Sequence, residues 1–309
     1  MNPRMRDSSL ILGKAVSMTK NKLTVLLFIG PGLAVLFAVS IFPLVYSLNL
    51  SLHRWNIIRP YYGYAFVGFK NFVNLFLDYR FIESLKITLY FTGGAVAIEF
   101  IFGLGLALLL SSEEIRKKEI IRIIRSVILI PMMVTPVVVG LIWRYILNEH
   151  MGVANYFLSL VGMEGLKWYS SPTSALPTVV LVDVWQWTPF VVIVLLAGIA
   201  SLPTTLYEVS EIDGASAWQQ FVYLTLPLLK PIIIIVLLFR IIDCVRIFDK
   251  VYVLTKGGPG TATNVISIYA YRTGIKYGNI SYAAALSWIL LFVILGLCFL
   301  LIKIGRWEI

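Results

Sequence analysis

The chain has 309 residues, of which 59% are hydrophobic and only 14% are charged, and its mean hydropathy is +0.86. Soluble proteins are about half apolar and about a quarter charged, so this composition excludes an ordinary soluble domain. The net charge of +10 would suit nucleic acid binding, but the basic residues flank long apolar runs, as membrane topology requires. We interpret the chain as a polytopic membrane protein with no nucleic acid partner.

Six apolar runs are long enough to cross a lipid bilayer, which takes about 20 residues. They are Leu23–Leu50, Ile87–Leu110, Ser126–Leu147, Ala175–Ala200, Pro231–Leu254 and Tyr282–Ile304. We therefore predict an all-α fold with six transmembrane helices. Residues 1–22 are expected to form a short basic tail, and residues 23–309 one membrane domain.

Lys and Arg residues predict the orientation of these spans. They are concentrated in the N-terminal tail, in the second connection and after the last span, as in Arg116-Lys117-Lys118 and Lys303. Because cytoplasmic loops carry the excess of Lys and Arg, both termini are expected in the cytoplasm.

The fourth connection is too polar to span a membrane and has a helical pattern. Pro203 predicts a helix start, and Gly214 predicts its end or a bend. Apolar residues recur at helical spacing between these two positions, with Glu208 and Glu211 on another face. Two short amphipathic helices of this kind dock into a partner's groove or lie on a lipid surface. The acidic face favours a protein partner, because anionic cytoplasmic lipid should repel it.

This connection also carries a resemblance to a known family. Glu208-Val209-Ser210, followed by Gly214 and by Leu224-Thr225-Leu226-Pro227, resembles the EAA loop of binding-protein-dependent ABC importer permeases. Val209 and Ser210 replace the two alanines of that pattern, and Leu224 replaces an isoleucine. The resemblance places the EAA loop at residues 201–228.

Further segments are similar to the carbohydrate-uptake branch of this family, and in particular to the first permease of maltose and trehalose importers. They are Phe66–Phe72, Asp78–Phe81, Gly152 with Asn155, Trp168 with Pro172, and Leu254–Gly260. The resemblance therefore covers nearly the whole chain.

The resemblance implies a type I ABC importer permease fold and a non-catalytic permease subunit that moves a di- or oligosaccharide. The implied partners are a second permease in a heterodimer, two ATP-binding cassette ATPase subunits and an extracytoplasmic sugar-binding protein. The chain would need no cofactor of its own, because ATP and Mg bind to the ATPase subunits. The implied location is a bacterial or archaeal cytoplasmic (inner) membrane, with the chain embedded in the lipid bilayer.

The resemblance also assigns residues to coupling and docking. The residues expected to couple to the ATPase are Glu208, Glu211, Asp213, Gly214 and Ala215. Gly257, Gly258 and Pro259 form an outer loop that gates the path or docks the binding protein. This loop is not a phosphate loop, because it lacks the Gly-Lys-Ser/Thr ending.

Polar residues inside spans four and five predict a substrate path. Asp183, Gln186, Trp187 and Phe190 are spaced as one helix stripe, and Arg240, Asp243 and Cys244 share a face of span five. By family position both sets line the sugar path. Polar groups beside aromatic rings suit a sugar, whose hydroxyls form hydrogen bonds while its C–H face stacks.

Two simpler interpretations of these charges stay open. In the first, Arg240–Asp243 and Asp243–Arg246 are internal ion pairs that only hold helices together. Asp243 is expected near the middle of its span, with Lys250 close to it. Glu99 would be an interhelical contact or a path residue, and we favour packing because Gly103 and Gly105 follow it.

Rival functions differ in what they require. An ion-coupled transporter would use Asp243 or Glu99 to carry protons, but the halves of the chain show no convincing repeat. A membrane enzyme would need a catalytic or metal-ligating set, and neither His53 nor His150 belongs to one. Within the family, glycerol phosphate or a polyol is the second substrate class, since Arg240 could bind phosphate.

Overall fold

The computed structural model describes residue 24 and residues 27–112 and 119–306. The predicted basic tail, residues 1–22, therefore lies outside the described residues, as do Arg116, Lys117 and Lys118.

Helices dominate the described residues. They are α1 Leu27–Ser51, α2 Lys70–Leu77, α3 Tyr79–Ser111, α4 Glu119–Ile128, α5 Ile130–Met133, α6 Pro136–Ile146, α7 Val153–Leu160, α8 Pro172–Ala200, α9 Thr204–Ile212, α10 Ala217–Gln220, α11 Leu226–Val245, α12 Asp249–Leu254, α13 Ile266–Tyr271 and α14 Ile280–Arg306. Single π-helical turns lie within α1 (Phe37–Ile41), between α10 and α11 (Phe221–Thr225), and after α13 (Arg272–Lys276).

The all-α prediction is correct for the membrane-crossing part of the described chain. The exception lies between α1 and α2, where β1 (His53–Arg54) pairs antiparallel with β2 (Ala65–Phe66) after a short 3-10 turn, Pro60–Tyr62.

Five helical segments of the described residues are long and apolar enough to cross a membrane, and the number is six if one bent pair is counted as a single span. The pair consists of Ile123–Met133 and Pro136–Ile146, whose axes differ by 96°. The predicted span Ser126–Leu147 therefore corresponds to two helices with a sharp bend between them and not to one continuous helix. A proline disfavours the α conformation of the residue before it, and Thr135 is extended beside Pro136, which breaks the helix there.

The fifth span also differs from its prediction. The chain stays helical from Ala217 through Val245, so Pro231 lies inside the helix instead of starting it. Helix-breaking residues are tolerated in membrane helices where local π adjustments and neighbouring groups satisfy the freed backbone. The helix ends at Val245, which places Asp243 in its last turn and not in the middle of the span.

Close helix packing surrounds the polar centre of the bundle, where α8 packs against α3 and α11. A Cβ on Gly103 would lie 2.5 Å from Val191 Cγ1, and one on Gly198 would lie 2.7 Å from Ile232 Cδ1. Both glycines therefore permit backbone approaches that a larger residue would block. The predicted packing role is therefore confirmed for Gly103 but not for Gly105, where a Cβ would meet no described atom within 4 Å.

The start of α3 is held by an aspartate outside the span. Asp78 Oδ1 accepts a 2.9 Å hydrogen bond from the amide of Arg80, and Oδ2 accepts bonds from the hydroxyls of Tyr269 and Tyr282. Burial opposes the charge of Asp78, but these donors outweigh it and lower its pKa below the ordinary value. Burial and the bond to Asp78 raise the pKa of Tyr269 to about 12.

Candidate functional site

A buried arginine joins three membrane helices. Arg240 of α11 donates from Nε to Glu99 Oε2 of α3 at 2.6 Å and from Nη2 to Glu99 Oε1 at 2.8 Å. The same Nη2 reaches Asp183 Oδ2 of α8 at 2.8 Å, and Nη1 reaches Asp243 Oδ2 at 2.7 Å. Glu99 is therefore an interhelical contact, as favoured above.

A lysine completes the group that we call the buried charge cluster: Glu99, Asp183, Arg240 and Lys250. Lys250 Nζ of α12 pairs with Asp183 Oδ1. The side chains of the cluster are at most 4% exposed, whereas that of Asp243 is 52% exposed. Buried charges require such pairing, because each charge loses its hydration.

The predicted internal ion pair Arg240–Asp243 is present. Lys250 lines the same small cavity as Asp243, but its ion pair is with Asp183. Among the described residues, Arg246 makes no ion pair with Asp243. Helical periodicity placed these residues on a face of span five, but it could not show which side chains of α3 and α8 meet that face.

The cluster also contains a set of potential metal ligands. The carboxylates of Glu99 and Asp183 and the Cys244 thiol have ligand atoms within 4.8 Å of one another. Arg240 Nη2, however, contacts all three, with Cys244 Sγ at 3.2 Å. The guanidinium therefore already supplies the positive charge at the point where a metal would bind.

A small cavity borders the cluster on its exposed side. Its volume is about 100 Å³, and its lining residues are Pro136, Trp187, Asp243, Arg246, Ile247, Phe248, Asp249 and Lys250. The Trp187 ring stands against the two buried cations, with Arg240 Cζ 4.9 Å and Lys250 Nζ 5.9 Å from the ring centroid. These contacts hold the ring at the wall of the cavity that the half-exposed Asp243 carboxylate also lines.

The seven predicted path residues fall into two groups. Trp187, Phe190 and Asp243 keep accessible surface, and Trp187 and Phe190 form an edge-to-face pair at 6.2 Å. The other four, Asp183, Gln186, Arg240 and Cys244, are buried and hydrogen-bonded within the chain. Gln186 Nε2, for example, donates to Val134 O at 2.8 Å, next to the break between α5 and α6. In this conformation only two of the seven, Trp187 and Asp243, line the small cavity.

The predicted amphipathic helices of the fourth connection are present, and we call residues 204–220 the coupling segment. Helix α9 begins directly after Pro203, and Gly214 turns the chain with φ +76°. Ser216 then caps α10 through a capping box with Gln219. The predicted start and end signals are therefore confirmed.

The predicted coupling residues lie along this segment. Glu208, Glu211, Asp213 and Gly214 are exposed, and Ala215 is half-buried. Apolar side chains of the segment are exposed beside them, including Ile212 at 85% and Trp218 at 70%. An acidic and apolar surface of this kind suits a protein groove.

The loop after α12 is tightly shaped. Gly257 has φ +88°, and a Cβ there would lie 2.9 Å from Ile268 Cγ2. Thr263 donates to Gly258 O at 2.7 Å, and Arg272 Nη2 donates to Lys256 O at 2.6 Å. Pro259 follows a cis peptide bond. The expected shaped turn is confirmed, and its docking role stays a prediction.

A second, larger cavity is an apolar groove of about 750 Å³ between α3, the bent pair and α8. Its walls include Phe102, Ile128, Trp143, Leu181 and Trp185. None of its lining residues is charged, so it is no candidate for polar substrate chemistry.

Fold and site together define a class: a helical membrane transport protein with a polar, charged interior and a helical surface that presents acidic and apolar side chains. Residues 103–306 match the family of binding-protein-dependent transport system inner membrane components, and the chain belongs to that family.

Several relatives are similar over most of their length. The chain is 40% identical over 274 residues to the probable ABC transporter permease protein y4oQ of Sinorhizobium fredii, covering 89% of this chain and 87% of that protein. It is 36% identical over 282 residues to the trehalose/maltose transport system permease protein MalF of Thermococcus litoralis, covering 91% and 93%. One chain of a bacterial ABC transporter that imports the acidic polysaccharide alginate superposes with a TM-score of 0.81 at 25% identity, covering 95% and 98%.

The family settles the class. The chain has the type I importer permease fold and is a non-catalytic permease subunit of a membrane ABC importer that works with a binding protein and an ATPase. The ion-coupled transporter and the membrane enzyme are thereby excluded.

Proposed function

We propose that this chain forms half of the translocation pathway of an ATP-driven importer for a di- or oligosaccharide of the maltose and trehalose type. The observation that carries the substrate class is the Trp187 ring, which stands beside the half-exposed Asp243 carboxylate at a polar cavity. An aromatic face next to a hydrogen-bonding carboxylate suits the two faces of a sugar ring.

The relatives support the same class. Besides the trehalose/maltose permease, the trehalose transport system permease protein SugA of Mycobacterium tuberculosis is 33% identical over 303 residues, covering 97% of this chain and 94% of that protein. Asp243 and Asp249 line the cavity with Arg246 and Lys250, and Lys250 is already paired with Asp183, so the cavity offers no surplus positive charge to a phosphate ester. Sugar is therefore favoured over glycerol phosphate.

Energy reaches the chain through the coupling segment. Glu208 and Glu211 are exposed, and within the described residues neither is ion-paired, so both are available to basic residues of an ATPase groove. ATP and Mg bind in the two ATPase subunits. Closure of the ATPase dimer moves α9, and the continuous helix from α10 into α11 carries that movement toward Arg240 and Asp243.

A second permease completes the pathway. None of the apolar window of α1 is buried, and no part of the chain that the structure describes fills the groove between α3, the bent pair and α8. Both are apolar surfaces that a heterodimeric partner would cover. An extracytoplasmic sugar-binding protein docks at the outer loop of Gly257, Gly258 and Pro259. The chain lies in a bacterial or archaeal cytoplasmic (inner) membrane, and both of its termini are on the cytoplasmic side.

The composition of the complex tests the assembly. The chain is to be purified from native membranes in detergent, and the proteins that accompany it identified by mass spectrometry. A second permease, an ATPase and a sugar-binding protein are expected. A homo-oligomer without a second permease would contradict the heterodimer.

The sugar site is tested by Trp187→Ala, which removes the ring beside Asp243. Sugar uptake should weaken about fivefold, as expected for the loss of about 1 kcal/mol of aromatic contact. Trp187→Phe is the matched control, because it keeps an aromatic ring at the same position and should retain most of the uptake. If Trp187→Ala leaves uptake intact, or prevents assembly with the ATPase, the ring does not contact the sugar.

A further inference from the structure

Helix α7, Val153–Leu160, carries an exposed apolar stripe that transport does not explain. Val153, Tyr156, Phe157 and Leu160 recur at the i, i+3, i+4, i+7 spacing of one helix face. Their exposed fractions are 53%, 62%, 61% and 63%. In an otherwise folded connection, such a stripe marks a contact surface.

The opposite face of α7 is anchored. Asn155 accepts hydrogen bonds from the Leu166 amide at 3.1 Å and from Trp168 Nε1 at 2.8 Å, and it donates to Glu149 O and Leu166 O. Thr178, in the second turn of α8, in turn donates to Trp168 O at 2.7 Å. The stripe therefore has a fixed direction and a fixed depth relative to α8.

The length of α8 indicates that this depth corresponds to the surface of the bilayer. Helix α8 has 29 residues, which gives a length of about 43 Å at 1.5 Å per residue, whereas the hydrocarbon core is about 30 Å thick. The first turns of α8 therefore reach into the headgroup layer, and Asn155 and Trp168 hold α7 at that level. Helix α6 ends at the same side, because the connection from Leu147 to Ser171 joins α6 to α8.

The composition of the segment fits lipid. Residues 151–163 contain no charged side chain, and the stripe continues into the exposed Val161 and Met163. Interfacial helices bury an apolar face at the boundary of headgroups and acyl chains, and aromatic side chains such as Tyr156 are favoured there. We propose that α7 is an interfacial anchor whose stripe lies in the lipid leaflet at the end of the membrane where α8 begins.

Photocrosslinking tests this proposal in the intact transporter. Phe157→p-benzoylphenylalanine is introduced in this chain, co-expressed with its partner subunits, and native membranes are irradiated before mass spectrometry of the chain. The expected product is the chain carrying the mass of a phospholipid. Tyr156→p-benzoylphenylalanine gives a second probe on the stripe.

Ser159→p-benzoylphenylalanine is the matched control, because Ser159 is exposed on the same helix but lies off the stripe. Lipid adducts should be several-fold more frequent at positions 156 and 157 than at 159. Crosslinks from the stripe to another protein would overturn the proposal and make α7 a subunit interface. Equal lipid labelling at all three positions, or none on the stripe, would also overturn it.

Discussion

The buried charge cluster and the coupling segment both carry acidic residues on helices, but only the carboxylates of the cluster are ion-paired within the described chain. In the cluster, Glu99 and Asp183 are satisfied by Arg240 and Lys250 within the chain. In the coupling segment, Glu208 and Glu211 are exposed and make no ion pair with any described residue.

The difference follows from hydration. A charge that loses water inside the bundle must be paired, and removing one partner leaves the other uncompensated. A charge in water costs little to leave alone, and a surface pair adds about 0–1 kcal/mol. Charge changes in the cluster should therefore lower the free energy of unfolding, whereas changes in the coupling segment should impair transport and leave stability nearly unchanged.

The largest effect is expected from Arg240→Met, which removes the cation shared by Glu99 and Asp183. The loss should lower the free energy of unfolding by about 3–5 kcal/mol, because two carboxylates are left in a desolvated site. Thermal unfolding of the purified protein in detergent measures this change.

Arg240→Lys is its control, because it keeps the charge but loses the paired contacts to Glu99, and it should fall between wild type and Arg240→Met. If Arg240→Met were as stable as the wild type, the cluster would not hold the helices together.

A matched pair of aspartates separates burial from charge. Asp183→Asn removes the carboxylate between Arg240 and Lys250 and should cost about 3 kcal/mol of unfolding free energy. Asp243→Asn makes the same chemical change at a half-exposed site bonded to the same arginine, and should cost about 0–1 kcal/mol. If both variants lost the same free energy of unfolding in the same assay, burial of the carboxylate would not determine how much its ion pair contributes to stability.

Sequence patterns predicted most of the coupling segment but only part of the cluster. A helix start after Pro203 and a turn at Gly214 are local properties of the chain, so their residue types are sufficient to predict them. The partners of Arg240 are not local: Glu99 lies 141 residues away. Periodicity defines the face of one helix, but only packing decides which helix that face meets.

The breaks in the spans show the same limit. Pro136 and Pro231 are each followed by three β-branched apolar residues, yet the helix breaks before Pro136 and continues through Pro231. Proline disfavours helix at both positions. Helix α11 packs against α3, α8 and α14, and these contacts come from parts of the chain that the residues around Pro231 do not reveal.

A smaller effect on stability is expected at the turn of the coupling segment. Gly214 has φ +76°, and a Cβ placed there would meet no atom within 4 Å, so only backbone strain opposes a side chain. Gly214→Val should therefore cost about 1–2 kcal/mol and, by displacing α9, abolish ATP-driven uptake. Gly214→Asn should be milder, because asparagine tolerates this conformation. If Gly214→Val retained full uptake, the turn would not direct coupling.

The smallest change in stability, with a complete loss of transport, is expected for Glu208→Ala. The carboxylate is exposed and makes no ion pair among the described residues, so the free energy of unfolding should stay within about 0.5 kcal/mol of wild type. Uptake in membrane vesicles should nevertheless be lost, because ATPase movement no longer reaches α9. Glu164→Ala, an exposed glutamate between α7 and α8, is the control and should change neither quantity. Normal uptake by Glu208→Ala would show that another residue transmits the movement. The exposed Glu208 carboxylate would then serve neither stability nor transport.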